Sequence, residues 1–185
     1  MSGDLFVVGT SHHIASLDVR ERLAVSNAEL SDTLAHMAAL SQCDELVVIS
    51  TCNRVEYYGV ATEPAAAAET IRQQLEKKLS SNDSTPLYSH WGTSAARHLF
   101  RVSASLDSMV VGEPQILGQV KQAYRTAEQA EQVGPVLNRS FARSFSAASS
   151  FKILLATPAL IKSNATSRSG LYSTKSAPTT WPGIT

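Results

Sequence analysis

A cysteine close to an arginine offers the clearest potential for chemistry in this sequence. Cys52 stands between an apolar run at residues 46–49 and a second strand-like run at residues 55–60, so it lies in a tight connection where two strands end. Arg54 is two residues away, and a fixed cation nearby favours the thiolate, which is the nucleophilic form. Short hydrogen-bonding side chains flank the cysteine at Thr51 and Asn53. This pattern favours a nucleophilic thiol, against the plainer interpretation of a structural cysteine beside an arginine that pairs elsewhere.

The histidines offer weaker candidates for acid or base chemistry. His12 and His13 follow the first apolar run, where they face the Cys52 segment or simply pack at the surface. His98 lies in the middle of a helical pattern, and a lone histidine there is more often a packing residue than an acid or base. Cys43 and Cys52 lack the short spacing of a structural zinc site, and no histidine has a partner at i+4, so we expect no metal.

A polar stretch between two helical patterns is a second candidate site. Its polar side chains alternate with apolar ones over residues 105–119. Such side chains near a helix start can hold the polar groups of a small ligand, and the alternative is ordinary helix capping around a turn. The polar residues are Asp107, Ser108, Glu113, Gln115 and Gln119.

Composition narrows the class of protein. The chain has 185 residues, of which 43% are apolar and 17% charged, as in a globular domain. Residues 149–185 carry four basic and no acidic side chains, which leaves 12 basic and 16 acidic ones in residues 1–148. This net negative charge argues against a general nucleic-acid-binding surface. It is compatible with a polyanion that docks at one local site. With two cysteines, no signal-peptide core and no membrane-length apolar run, we expect a cytoplasmic protein with no membrane span.

The pattern of apolar residues predicts an α+β fold. Strand, helix, strand, strand, helix and edge strand follow one another up to residue 91, which is the ferredoxin-like split β-α-β-β-α-β order. We expect a catalytic core at residues 1–92 and a helical extension at residues 93–148. The extension is expected to complete the ligand pocket and to contain the start of a long connecting helix. From residue 149, 13 of 37 residues are Ser or Thr and prolines interrupt them. Residues 149–185 are therefore predicted to form a low-order tail.

Three motifs become specific when taken together: VVGTSHH with DVRERLA, then ELVVISTCNRVEYY, then RHLFRVSASLDSMVVGEPQILGQVKQAY. In this order they closely resemble the glutamyl-tRNA reductase family, over about residues 5–147. That enzyme begins tetrapyrrole (porphyrin) biosynthesis by reducing glutamyl-tRNA with NADPH to glutamate-1-semialdehyde.

The resemblance implies roles for matching positions. Cys52 looks like the catalytic nucleophile that forms a thioester with the glutamyl group, and His98 resembles a histidine important for activity. The positions that resemble substrate-binding residues are Thr51, Asn53, Arg54, Ser108, Glu113, Pro114, Gln115 and Gln119. Three positions depart from the family pattern: Ile14 and Ser16 stand where Thr and Pro are common, and Ser105 stands where Gly is common.

The resemblance also implies a cofactor and partners. The family uses NADPH, glutamyl-tRNA and a homodimer, and its product passes to glutamate-1-semialdehyde aminomutase. The sequence contains no G-x-G-x-x-G, so we expect the NADPH-binding and dimerisation domains to be absent from this chain. This predicts a truncated enzyme limited to thioester formation or esterase activity. The alternatives are an inactive fragment that binds glutamyl-tRNA or a partner protein, and a stand-alone thiol esterase.

Overall fold

The computed structural model describes residues 3–79, 86–108 and 114–168, with the backbone alone at residue 114 and at residues 152–168. Within these ranges, the strands and helices follow one another along the chain in the predicted order. The strands are β1 (Asp4–Ser11), β2 (Glu45–Thr51), β3 (Arg54–Ala61) and β4 (Tyr88–Trp91). The helices are α1 (Leu17–Leu23), α2 (Leu30–Ser41), α3 (Pro64–Glu76), α4 (Gly92–Ser103), α5 (Pro114–Gln129) and α6 (Pro135–Arg168).

The four strands form one antiparallel sheet in the order β2-β3-β1-β4. The predicted ferredoxin-like α+β arrangement is confirmed, with β4 on one edge. Nearly every residue of β1, β2 and β3 is buried, because helices cover both faces of the sheet. Tyr57 of β3 faces α2 and α3, whereas Tyr58 contacts His98 of α4 and Phe141 of α6 on the other face.

The start of α6 is fixed to the sheet by a buried glutamate. Glu45, the first residue of β2, accepts hydrogen bonds from the backbone N–H groups of Val136 (3.0 Å) and Leu137 (2.6 Å). Free N–H groups at a helix start carry partial positive charge and need acceptors, which the carboxylate supplies. Gly134 has to be small here, because an added Cβ would lie 2.7 Å from the Glu45 carboxyl carbon. The long helix therefore begins at a defined point on the sheet that carries Cys52.

Helix α6 also runs farther than the sequence indicated. We expected low order from residue 149, but the helix continues to Arg168, and residues 169–185 lie outside the described part of the chain. The first two serines of this segment satisfy their hydroxyls inside the helix. The Ser149 hydroxyl donates to the carbonyl of Phe145 (2.8 Å), and the Ser150 hydroxyl donates to the carbonyl of Ser146 (3.1 Å). Hydrogen bonds from a serine to the carbonyl four residues earlier are compatible with a continuing helix.

A strained backbone position follows helix α4. Ser105 has φ of +61°, in the left-handed region that favours glycine, and its side chain is fully buried. It is one of the three positions at which the sequence departs from the pattern that it resembles, and the residue expected there is glycine. A Cβ in this conformation crowds the backbone, so glycine would adopt it with less strain.

We expect the Ser105→Gly variant to be more stable than Ser105→Ala by about 1 kcal/mol, because both lose the hydroxyl and only alanine keeps the strain. Urea unfolding followed by circular dichroism measures the difference. The matched control is Ser149, in regular helix, where glycine should be less stable than alanine by about 1 kcal/mol. Alanine at least as stable as glycine at position 105 would contradict the assigned backbone strain.

Candidate active site

Cys52 occupies the two-residue turn between β2 and β3, and its side chain is exposed. The Thr51 hydroxyl accepts hydrogen bonds from the backbone N–H groups of Asn53 (3.3 Å) and Arg54 (3.2 Å), which closes the turn from inside. The Arg20 guanidinium of α1 donates from Nε to the Cys52 carbonyl at 3.0 Å. The turn is therefore rigid while the thiol stays accessible, as a nucleophile requires.

The end of β1 lies directly beside this turn, as predicted for the histidine pair. The backbone N–H of His12 donates to the carbonyl of Asn53 at 2.8 Å, and the His12 and His13 rings lie 4.0 Å apart. Burial and the neighbouring His13 lower the pKa of His12, which favours the neutral form of this imidazole. Its Nδ1 is buried and has no hydrogen-bond partner among the described residues.

Arg54 turns away from Cys52 and into the protein. Its side chain is 1% exposed, and it donates from Nη1 to Glu56 (2.8 Å) and from Nη2 to the Asp107 carbonyl (2.6 Å). The arginine therefore pairs elsewhere than with the thiol, as in the plainer interpretation of the motif. Its Nε is buried and lacks a hydrogen-bond partner within the described ranges, so one donor of this guanidinium has no acceptor there.

Glu56 is the centre of the site, and the sequence analysis missed it. The carboxylate is fully buried and accepts hydrogen bonds from Arg54, Tyr58 (2.8 Å), Tyr88 and His98 (Nε2, 2.8 Å). The signal was present in the sequence. Arg54, Glu56 and Tyr58 alternate along a strand that is otherwise apolar, so they share one face, and a charge inside such a strand needs partners.

This environment keeps the Glu56 carboxylate charged. Burial alone would raise its pKa, but the Arg54 guanidinium and the hydrogen bonds from His98 and Tyr88 outweigh burial and lower the pKa to about 2. In turn, burial and the Glu56 charge raise the pKa values of Tyr58 and Tyr88, so both phenols stay protonated and act as donors. Every partner of Glu56 thus stabilises the ionised form.

The loop after α4 joins the same cluster. The carboxylate of Asp107 pairs with Arg101 at 2.6 Å and lies 3.8 Å from Nδ1 of His98. Burial by itself would raise the pKa of Asp107, but the hydrogen bonds and charge of Arg101 lower it. The predicted residue Ser108 follows, half-buried, in the same loop. The structure thus brings Arg54, His98 and the loop before Ser108 together.

The remaining predicted residues lie less centrally. Gln115 and Gln119 are exposed on α5, and Gln119 lines a cavity of about 170 Å³ together with Ser50 and Gln122. Pro114 is the first residue of α5, and only its backbone is described. Glu113 lies outside the described residues. Within the described ranges, no hydrogen bond joins Gln115 or Gln119 to Cys52.

Other features of the described residues show no competing centre for thiol chemistry. A cleft of about 570 Å³ lies on the opposite face of the sheet, between α2 and α3, and none of the predicted site residues lines it. No cluster of three His, Cys, Asp or Glu side chains suited to a metal ion occurs in the described ranges. Within the same ranges, no helix has the length and apolarity needed to cross a membrane.

The two thiols differ in exposure, and this predicts different reactivity. Cys43 is half-buried against the core, and burial raises its pKa although Ser41 donates a hydrogen bond to its sulfur at 3.1 Å. Less thiolate at pH 7 and poorer access both slow alkylation. We expect iodoacetamide to modify Cys52 at least about tenfold faster than Cys43. Mass spectrometry of tryptic peptides, with Cys52→Ser and Cys43→Ser as controls, measures both rates, and equal rates would refute the expectation.

Comparison with known proteins agrees with these features. Residues 8–153 match the family model described as Glutamyl-tRNAGlu reductase, N-terminal domain. Glutamyl-tRNA reductase of Syntrophotalea carbinolica is 42% identical over 148 residues, with 78% of this chain and 33% of that protein covered. Glutamyl-tRNA reductase 2 of Anaeromyxobacter dehalogenans is 45% identical over 150 residues, with 80% and 32% covered.

Among solved structures, glutamyl-tRNA reductase from Methanopyrus kandleri is similar, with a TM-score of 0.67 and 27% sequence identity. The match covers 81% of this chain and 34% of that one. The chain spans about a third of the length of the curated relatives it matches.

Proposed function

Because this chain belongs to the glutamyl-tRNA reductase family, through the N-terminal domain of that family, we propose that Cys52 accepts the glutamyl group of glutamyl-tRNA as a thioester. The observation that carries the proposal is an exposed thiol on a rigid turn, two residues before a buried arginine whose Nε has no partner among the described residues. The exposed thiol provides the nucleophile. The buried cation provides a means of recognising a carboxylate.

The chemical step is transesterification to sulfur. The Cys52 thiolate attacks the ester carbonyl, the C–S bond forms, the bond to the tRNA 3′ oxygen breaks, and that oxygen takes up a proton. An ester is a better electrophile than an amide, so the step needs less activation than peptide cleavage. Arg54 selects glutamate by donating from Nε and its remaining Nη hydrogens to the side-chain carboxylate. Thr51 and Asn53 hold the turn in place.

The proposal stops at the thioester. NADPH would supply a hydride, but its usual site lies at a glycine-rich turn between a strand of a parallel sheet and a helix. The described strands are all antiparallel and the sequence has no G-x-G-x-x-G. The described residues therefore do not fit the cofactor.

Mass spectrometry of the intact protein after mixing with glutamyl-tRNA tests the proposal. We expect an adduct of one glutamyl group on Cys52 that hydroxylamine removes, no adduct in Cys52→Ser, and an unchanged adduct in Cys43→Ser. Alanyl-tRNA is the control for selection by the carboxylate. A folded protein that binds glutamyl-tRNA without forming the adduct would refute the thioester and favour the binding fragment instead.

A further inference from the structure

We propose that Glu56 is the positioning residue of this site, and that His98 acts through it as a hydrogen-bond donor rather than by exchanging a proton with the substrate. This inference rests on the proposed thioester chemistry at Cys52. It gives His98 a different role from the one that the family resemblance suggests. It also assigns a positioning role to Glu56, a residue for which no role was predicted from the sequence.

Glu56 holds the arginine in one orientation. Its Oε1 accepts from Arg54, Tyr88 and His98, and its Oε2 accepts from Tyr58. An ionised carboxylate only accepts hydrogen bonds, so all four partners have to be donors. Gly9 lies opposite Glu56 in the sheet, and a Cβ there would clash with the Val55 carbonyl oxygen and lie 3.0 Å from Cγ of Glu56. A larger residue at position 9 would therefore disturb the strand that carries Glu56.

The same reasoning fixes the tautomer of His98. Its Nε2 lies 2.8 Å from the carboxylate, so Nε2 carries a hydrogen and donates it. Its Nδ1 faces Asp107, another carboxylate of the protein, at 3.8 Å. The rings of Tyr58, Tyr88 and His90 surround the imidazole. Nε2 is therefore occupied by Glu56, and Nδ1 lies beside a second carboxylate of the protein, so the contacts of the ring are with the protein rather than with Cys52.

The consequence falls on Arg54. With Nη1 on Glu56 and Nη2 on the Asp107 carbonyl, the plane of the guanidinium is set, and its unpartnered Nε is presented in a single direction. A planar fork recognises a carboxylate only when its plane is correctly aligned. Loss of the His98 or Glu56 contacts should therefore weaken recognition of the glutamyl carboxylate more than it slows the attack of the thiol.

Nitrogen-15 NMR of the imidazole side chains tests the tautomer without any activity. We expect the neutral His98 ring to carry its proton on Nε2, with His98→Gln used to assign the signal. A proton on Nδ1 would overturn the proposal, because Nε2 could then not donate to Glu56. This result is independent of whether the protein forms a thioester.

Kinetics of Cys52 acylation by 3′-O-glutamyl-adenosine test whether Glu56 and His98 position Arg54. We expect Glu56→Gln and His98→Ala to raise the half-saturating ester concentration about tenfold, the worth of one hydrogen bond to a charged group. His98→Gln should recover most of the affinity that His98→Ala loses, because the glutamine amide nitrogen can donate a hydrogen bond in place of Nε2. The glutamine amide does not titrate, so it cannot act as an acid or base. The pH dependence of acylation from pH 5 to 8 should keep its wild-type shape in His98→Gln.

The surface substitution His36→Gln is the matched control and should behave as wild type. Iodoacetamide reactivity of Cys52 and a thermal melt show whether each variant is folded. If Glu56→Gln fails to fold, the NMR result and the comparison of His98→Gln with His98→Ala decide. His98→Gln as impaired as His98→Ala, with one limb of the pH profile lost, would establish acid–base catalysis and overturn the proposal. No adduct in the wild type would instead remove the proposed function and leave the tautomer test standing.

Discussion

Replacing Arg54 with methionine is expected to lower the free energy of unfolding by about 3 to 5 kcal/mol, because it leaves the Glu56 carboxylate charged in the core without its arginine counter-ion. Methionine is chosen because it fills a similar volume, so the loss of charge dominates over the cavity left behind. Arg54 and Glu56 are 1% and 0% exposed, which removes the solvent screening that weakens most surface ion pairs. Urea unfolding at pH 7, followed by circular dichroism, measures the change.

The double variant Arg54→Met with Glu56→Gln is the control. Removing both charges should recover at least about 1 kcal/mol relative to Arg54→Met alone, because no uncompensated charge is left. The Arg54→Lys variant keeps the charge but lacks the fork that reaches both Glu56 and the Asp107 carbonyl, so it should lie between wild type and Arg54→Met and bind 3′-O-glutamyl-adenosine more weakly. Strictly additive effects of the two single substitutions would show that the buried pair is not coupled.

The sheet could be predicted from sequence because each strand has its own local signal. Buried strands appear as short apolar runs, and turn residues separate them, so the order of β1, β2, β3 and β4 follows from the chain alone. The position of Cys52 at the β2–β3 turn follows from the same signals. The extent of α6 was not predicted, because the Ser, Thr and Pro residues after position 148 were taken to oppose a helix. The hydroxyls of Ser149 and Ser150 are in fact satisfied within it.

The centre of the site could not be predicted in the same way, because its contacts are non-local. Glu56 and His98 are 42 residues apart in sequence, and Arg54 and Asp107 are 53 apart. Only the register that aligns β1 with β3 and the packing of α4 on that face bring them together. The motif therefore identifies Arg54 as important without showing that its first partner is an internal carboxylate. A charged residue in a buried strand is the signal that should prompt a search for such partners.

Acid is expected to destabilise the fold through Glu56. Its folded-state pKa of about 2 lies below the ordinary value of 4.5, so it contributes stability that is fully present above about pH 5 and is lost as the pH falls towards 2. The shift corresponds to about 3 kcal/mol for a group that is fully buried. Once the carboxylate is protonated, the Arg54 guanidinium remains charged in the core without its counter-ion, which is the physical cause of the loss.

The Glu56→Gln variant separates this contribution from those of other carboxylates such as Asp107, whose lowered pKa adds to the acid sensitivity of both proteins. Urea unfolding at pH 7, 5, 4 and 3 should show the wild type well above the variant at pH 7 and the two converging as the pH falls. The convergence follows because a protonated Glu56 and the glutamine that replaces it are both neutral, so each leaves the same arginine unpaired. A stability difference that stays constant from pH 7 to pH 3 would mean that Glu56 takes up no proton when the protein unfolds in acid. That result would contradict its assignment as the charged centre of the site.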